Sequence, residues 1–259
     1  MDDTGNKADM IFNYQKIKMS IPDYSFFIPY ATFFSGEYDF LKPRKNDVVI
    51  DAGANIGDFT AKIAGKVSKV IAIEPSKDSL SYLRFNTRNM HSITIIQKAI
   101  GNKRGAIGFT GHGVSAGVDE NADDQVNIDT LDNICEDLRL TPTLLKMDIE
   151  GYEGEALKGM EKSIDTVRRI VIEIHNDHNK KECEDVLIRH GYKIRYQNKM
   201  DIVKRTLRNI TLHPLSFVKY DKQNAFYASR VIAKCPLSGK SGIPSCGETK
   251  GMYLLEAWK

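Results

Sequence analysis

Two clusters of residues in this chain have the types and spacing to do chemistry. The first is Asp51-Ala-Gly53-Ala54-Asn55-Ile-Gly57, which follows the short apolar run 47–51. Its glycines allow a tight turn and let a ligand approach the backbone closely. Glu74 stands 23 residues after Asp51. That spacing suits a carboxylate accepting hydrogen bonds from both hydroxyls of a ribose. The loop is not G-x-G-x-x-G, and the acid at its start would repel a pyrophosphate. A ligand carrying a cationic amine and a sulfonium would not be repelled. The pattern therefore favours S-adenosylmethionine over a nicotinamide dinucleotide. Pro75 and Ala99 complete the expected cofactor set of Asp51, Gly53, Ala54, Asn55, Gly57 and Glu74.

The second cluster is Lys146, Asp148, Glu150 and Glu153, followed by Glu173 and His175. Lys146 and Asp148 share parity on one strand and point to the same side. Glu173 and His175 do the same at the end of the next strand. If the two strands are neighbours, Asp148, Glu150, Glu173 and His175 converge on one rim. A neutral His175 there would remove a hydroxyl proton, with Asp148 orienting the acceptor and Lys146 beside it. Alternatively, Asp148, Glu150, Glu173 and His175 would hold a divalent cation such as Mg²⁺ that acidifies the hydroxyl. Glu150 and Glu153 also fit a plain helix-start role, and Lys146 a charge-neutralising one.

Elements that could hold these residues follow from the hydropathy pattern. Strands are expected at 47–51, 69–74, 93–97, 143–148, 168–174, 192–197 and 224–231, with helices at 59–65, 76–89, 130–137, 153–160 and 180–190. This alternation predicts an α/β fold with a mostly parallel central sheet and helices on both faces. Residues 101–128 interrupt it with Gly101, Gly105, Gly108, Gly111, Gly113 and Gly117. An inserted hairpin of 105–110 with 125–128 is expected, spanned by a loop that is either a lid or a connector. The expected organisation is a lead-in of 1–45 packed on the core, a catalytic domain of 46–232 and a tail of 233–259. The aromatics Tyr24, Phe26, Phe27, Tyr30, Phe33 and Phe34 of the lead-in are read as packing. Met252-Tyr253-Leu254-Leu255 would dock as a short strand or helix.

Taken together, Asp47 to Gly57, Glu74-Pro75, Asn86, Thr130-Leu-Asp132, Lys146-Met-Asp148-Ile-Glu150-Gly151-Tyr-Glu153 and Ile172-Glu173-Ile-His175 resemble the FkbM-type methyltransferases. The likeness covers roughly residues 45–198. It implies a Rossmann-like methyltransferase fold, S-adenosylmethionine bound by the glycine loop and Glu74, and O-methylation of a sugar or other small-molecule acceptor.

The remaining properties bound the reading. The chain has 259 residues, a net charge of +3 and 41% hydrophobic residues, enough for one large domain. So small a charge predicts no strong nucleic-acid field. The basic run Lys199, Lys204, Arg205 and Arg208 keeps an RNA or protein acceptor as the alternative. A cofactor-binding protein without turnover is a third reading. No apolar run reaches the length of a membrane span. Cys135, Cys183, Cys235 and Cys246 are scattered, as in a reduced cytoplasmic protein, although a local clip between the last two is compatible with their spacing. Homo-oligomerisation is left open.

Overall fold

The computed structural model describes residues 10–22, 25, 27–111, 117–119, 122–218 and 252–259. They fall into two compact units. One belongs to Met1–Glu37 with Gln197–Lys250, the other to Tyr38–Tyr196 with Gly251–Lys259. These boundaries lie at 37/38 and 196/197, where the sequence suggested 45/46 and 232/233.

The first unit holds strands β1 (Met10–Tyr14) and β2 (Ile17–Ile21), the short helix α1 (Phe27–Tyr30), and helices α7 (Lys199–Leu212) and α8 (Pro214–Val218). The strands form an antiparallel hairpin. Phe12 and Tyr14 stack on Phe33 at 5.1 and 4.8 Å, and Tyr30 meets Phe34 at 5.4 Å. The lead-in aromatics among the described residues are thus packed, as expected. Tyr24 and Phe26 lie outside the described residues.

The second unit holds the central sheet. Its strands are β3 (Val48–Ala52), β4 (Lys69–Ile73), β5 (Ile93–Ile96), β10 (Leu144–Met147), β11 (Arg169–Ile174), β12 (Lys193–Tyr196) and β13 (Tyr253–Trp258). Their order is β12-β13-β11-β10-β3-β4-β5. All neighbouring pairs from β11 to β5 are parallel, and β13 runs antiparallel between β11 and β12. The fold is Rossmann-like. The apolar runs of β3 and β4 are buried on both faces, which is why they read as continuous rather than alternating. Ile50, Ile71, Leu145 and Ile170 face one layer, built from α4 (Leu131–Leu138), α5 (Glu153–Lys158) and α6 (Asp177–Arg189). Val49, Val70 and Ala72 face the other, built from α2 (Asp58–Ile63) and α3 (Lys77–Thr87).

The expected insertion is present. Strands β6 (Ala99–Ile100), β7 (Gly105–Thr110), β8 (Gly117–Val118) and β9 (Gln125–Asp129) form a second sheet in the order β6-β9-β7-β8. Gly105 pairs with Ile128 and Gly108 with Gln125, as the sequence suggested. Buried Asp129 ties the insertion down, accepting from Lys98, Arg104, Asn133 and the Thr130 amide.

The last expected strand, 224–231, lies outside the described residues, as do Gly113 and the cysteines Cys235 and Cys246. The interior antiparallel position of the sheet is filled by Tyr253–Trp258. Cys135 and Cys183 are free and buried. Among the described residues, no helix is long and apolar enough to cross a membrane.

Candidate active site

The glycine loop leaves the end of β3 and is held by its neighbours. Gly53 and Ala54 both donate their amides to the Ile73 carbonyl, at 3.0 and 2.9 Å. A Cβ on Gly53 would lie 1.7 Å from the Asp148 carbonyl oxygen, at a φ of +73°. Only glycine fits there. Asn86, on α3, donates to the Ile56 carbonyl at 2.9 Å. Ala54 packs on Leu80 and Leu83, so it shapes the loop from behind.

Glu74 closes the other side. Its two oxygens accept from the amides of Asn55, at 2.8 Å, and Ser76, at 2.9 Å. Burial pushes its carboxyl up to about 7, against those two amide bonds. Gly53, Asn55, Glu74, Pro75 and Ala99 line one cleft. Ile73, Lys98, Ile100, Phe109, Val118, Ile149 and Tyr152 also line it, and none of these stood out in the sequence. Lys98 and Ile100 flank Ala99 after β5, so the strand ends carry a signal for them. Phe109 and Val118 come from the insertion, where no spacing rule points to them.

Asp51 sits elsewhere than the sequence suggested. It is fully buried beneath the loop and does not line the cleft. Its Oδ2 accepts from the Thr60 hydroxyl at 2.6 Å, and its Oδ1 is 3.3 Å from Lys146 Nζ. The cause is register, since Lys146 of β10 pairs directly with Asp51 of β3. Gly57 also stays out of the cleft, packed against Leu83.

Lys146 joins the two clusters. Its ammonium donates to the Gly53 carbonyl at 2.6 Å and lies 3.9 Å from Asp148 Oδ2. Burial alone would lower its pKa, but Asp51 and Asp148 outweigh it and hold the group well above its ordinary value. It therefore stays charged, as a tether rather than a proton carrier.

Asp148, Ile149 and Glu150 line the same cleft. Glu150 and Gly151 turn the chain with φ of 56° and 103°. Glu153 Oε1 accepts from the Gly151 amide at 2.9 Å, and Asn179 bonds the Gly151 carbonyl. Gly117 of the insertion abuts Glu150, since a Cβ there would lie 3.2 Å from the Glu150 Cβ.

His175 enters from β11, the neighbour of β10, so the expected convergence occurs. Its Nδ1 is 2.8 Å from Glu153 Oε1, and its Nε2 is 3.4 Å from Glu150 Oε2 and 3.7 Å from Asp148 Oδ1. Burial would lower the imidazole pKa. The Glu153 hydrogen bond and the charges of Asp148, Glu153 and Glu150 overcome that and raise it to about 10. The neutral imidazole expected from sequence is thus replaced by an imidazolium at neutral pH. Burial, followed by the charge of Asp148, raises Glu150 to about 7. Ligand atoms of Asp148, Glu173 and His175 lie within 4.8 Å of one another, while Glu150 is not part of that group.

The methyltransferase FkbM domain model matches residues 51–194. The chain belongs to the FkbM methyltransferase family. Like other FkbM proteins it is an S-adenosylmethionine-dependent methyltransferase. It is similar to the hexuronic acid methyltransferase AglP of Haloferax volcanii, 28% identical over 163 residues, which are 59% of this chain and 68% of that one. Among solved structures it is similar to the methyltransferase FkbM of Methylobacillus flagellatus, with 25% identity, a TM-score of 0.48 and 59% of this chain covered. The chain spans 40% of the length of that protein. It is also similar to TYW2 of M. jannaschii, crystallised with AdoMet, at 15% identity and a TM-score of 0.46 over 98% of this chain and 86% of that one.

Proposed function

We propose that this FkbM protein methylates a hydroxyl group of a sugar, with Glu150 as the proton acceptor. The observation that carries the reading is a single cleft lined by Gly53, Asn55 and Glu74 and also by Asp148 and Glu150. The residues fit the cofactor. Gly53 lets the loop pass directly against the Asp148 carbonyl, and Asn55 Oδ1 is buried with no hydrogen-bond partner among the described residues. Asn55 and Glu74 would take the ribose, and Pro75, Ala99 and Ile100 the adenine side. When bound, S-adenosylmethionine supplies an electrophilic methyl group on a sulfonium sulfur.

The chain's own residues position the acceptor and move its proton. Asp148 and Glu150 accept hydrogen bonds from acceptor hydroxyls. Glu150, raised to about 7, can take a proton near neutrality, close to the optimum for general-base work. His175 carries positive charge and steadies both carboxylates. Lys146 bonds the Gly53 carbonyl and lies 3.9 Å from Asp148, so it holds the glycine loop beside the strand end that carries Asp148. The similarity to a hexuronic acid methyltransferase supports a sugar as acceptor.

The test is transfer of labelled methyl to a panel of uronic acids and neutral sugars, with the product read by NMR. An O-methyl sugar is expected, and Glu150→Gln lowers kcat about 100-fold with little change in S-adenosylhomocysteine affinity. Label found on RNA or protein instead overturns the sugar reading.

A second reading is favoured by the grouping of Asp148, Glu173 and His175, which would hold a divalent cation. Glu153 on His175 Nδ1 would orient the ring for coordination through Nε2. Calorimetric titration with Mn²⁺, lost in Asp148→Asn, would support it. Full activity in EDTA would reject it.

A further inference from the structure

Helix α7 carries the basic run that the methyl-transfer reading leaves unused. Its exposed positions repeat every four residues as the adjacent pairs Lys199–Met200, Val203–Lys204, Leu207–Arg208 and Thr211–Leu212. Apolar and basic side chains therefore share one face. Met200 is 59% exposed, Leu207 62% and Leu212 58%. Among the described residues eight large hydrophobics are exposed, and five lie between Met200 and Leu215. Such crowding marks an interaction surface rather than scattered surface residues.

The opposite face is occupied. Asn209 donates to the Phe34 carbonyl, and Arg205 bonds Gln197. The helix's one acid, Asp201, sits in the capping box with Asn198 and is only partly exposed. The exposed face thus carries Lys199, Lys204 and Arg208 with no acidic residue.

We propose that this face of α7 lies on an anionic lipid surface, its apolar residues among the acyl boundary and its cations among the headgroups. Charge selects this occupant. A second copy would bring the same basic helix. Residues 219–251 carry six Lys and Arg against two Asp and Glu, so they repel the face as well. A nucleic acid would satisfy the cations but leave Met200, Val203 and Leu207 without a partner. The helix is 14 residues long and contains four cations, which suits lying on a bilayer and not spanning it.

The experiment is flotation of the full chain with vesicles of phosphatidylcholine alone, or of equal parts phosphatidylcholine and phosphatidylglycerol. Binding to the mixed vesicles only, weakening with salt, is expected. Leu207→Glu abolishes it, and Lys204→Gln and Arg208→Gln each weaken it about fivefold. Both glutamine substitutions are at exposed positions, so they stand as folded controls if Leu207→Glu is unstable. Methyl transfer to a water-soluble acceptor stays unchanged in all three. Equal binding to both vesicle types, or to neither, overturns the proposal. So does RNA retention lost in Arg208→Gln, or a Leu207-dependent dimer by sedimentation without vesicle binding.

Discussion

Glu153 Oε1 and His175 Nδ1 lie 2.8 Å apart, and the other ring nitrogen faces Glu150 and Asp148. This hydrogen bond is the largest influence holding the ring's proton against burial, ahead of the charges of Asp148, Glu153 and Glu150. A buried histidine without it would shed its proton. With it the ring stays cationic to about pH 10. Glu153→Gln removes both the charge and the strongest acceptor, so the ring should titrate well below that value, as followed by the His175 ring proton in NMR. The folded pKa lies above the ordinary one of 6.5. The contact's stabilisation is therefore complete below about pH 6.5 and lost as pH rises toward 10. Wild type should lose more stability than the variant across that window. An unshifted ring titration would reject the role of Glu153.

Lys146 and Asp51 make a buried ion pair at 3.3 Å. Lys146→Met leaves the Asp51 carboxylate without its countercharge and frees the Gly53 carbonyl. A loss of roughly 3–5 kcal/mol in denaturant unfolding is expected. Adding Asp51→Asn should recover much of it. If the double variant is as unstable as the sum of the singles, the two residues are not coupled.

Gly53 and Gly65 offer a paired test of the loop. Gly53→Ala forces a Cβ onto the Asp148 carbonyl, and binding of S-adenosylhomocysteine should be lost along with stability. Gly65→Ala meets nothing within 4 Å and should be neutral or stabilising by ~0.5–1 kcal/mol. Thermal midpoints with and without ligand separate the two outcomes.

Glu74 should make cofactor affinity depend on pH. Burial raises its pKa to about 7 in the free protein, so this contribution to stability is full below 4.5 and lost as pH rises through 7. Hydroxyl donors favour the ionised carboxylate. Affinity for S-adenosylhomocysteine should therefore rise between about pH 6 and 8 and then level off. Glu74→Gln should bind more weakly and show no such rise by calorimetry.

Much of this was legible in the residues. The β-branched runs 48–52 and 69–73 are buried on both faces, and such runs have few other readings. The meeting of Asp148 with His175 followed from parity and strand adjacency alone. The burial of Asp51 did not, because it depends on the cross-strand partner Lys146, and register is set by the whole sheet. The charge of His175 escaped for a similar reason, since Glu153 is 22 residues away and reaches it only through the turn at Gly151. In sequence, helix α7 shows only a basic run, because its exposed face mixes Lys and Arg with Met and Leu and so blurs the usual polar-outside signal.

The antiparallel strand Tyr253–Trp258 carries a kinetic consequence. It pairs Ile174 with Tyr253, roughly 80 residues apart in the chain, and it lies between two other strands. During synthesis β11 emerges long before the segment that covers it. Its free edge is apolar and can recruit other nascent chains until the late strand arrives. Folding of this unit should be slow in proportion to that delay, and chaperone demand should centre on the interval between the two pairing partners.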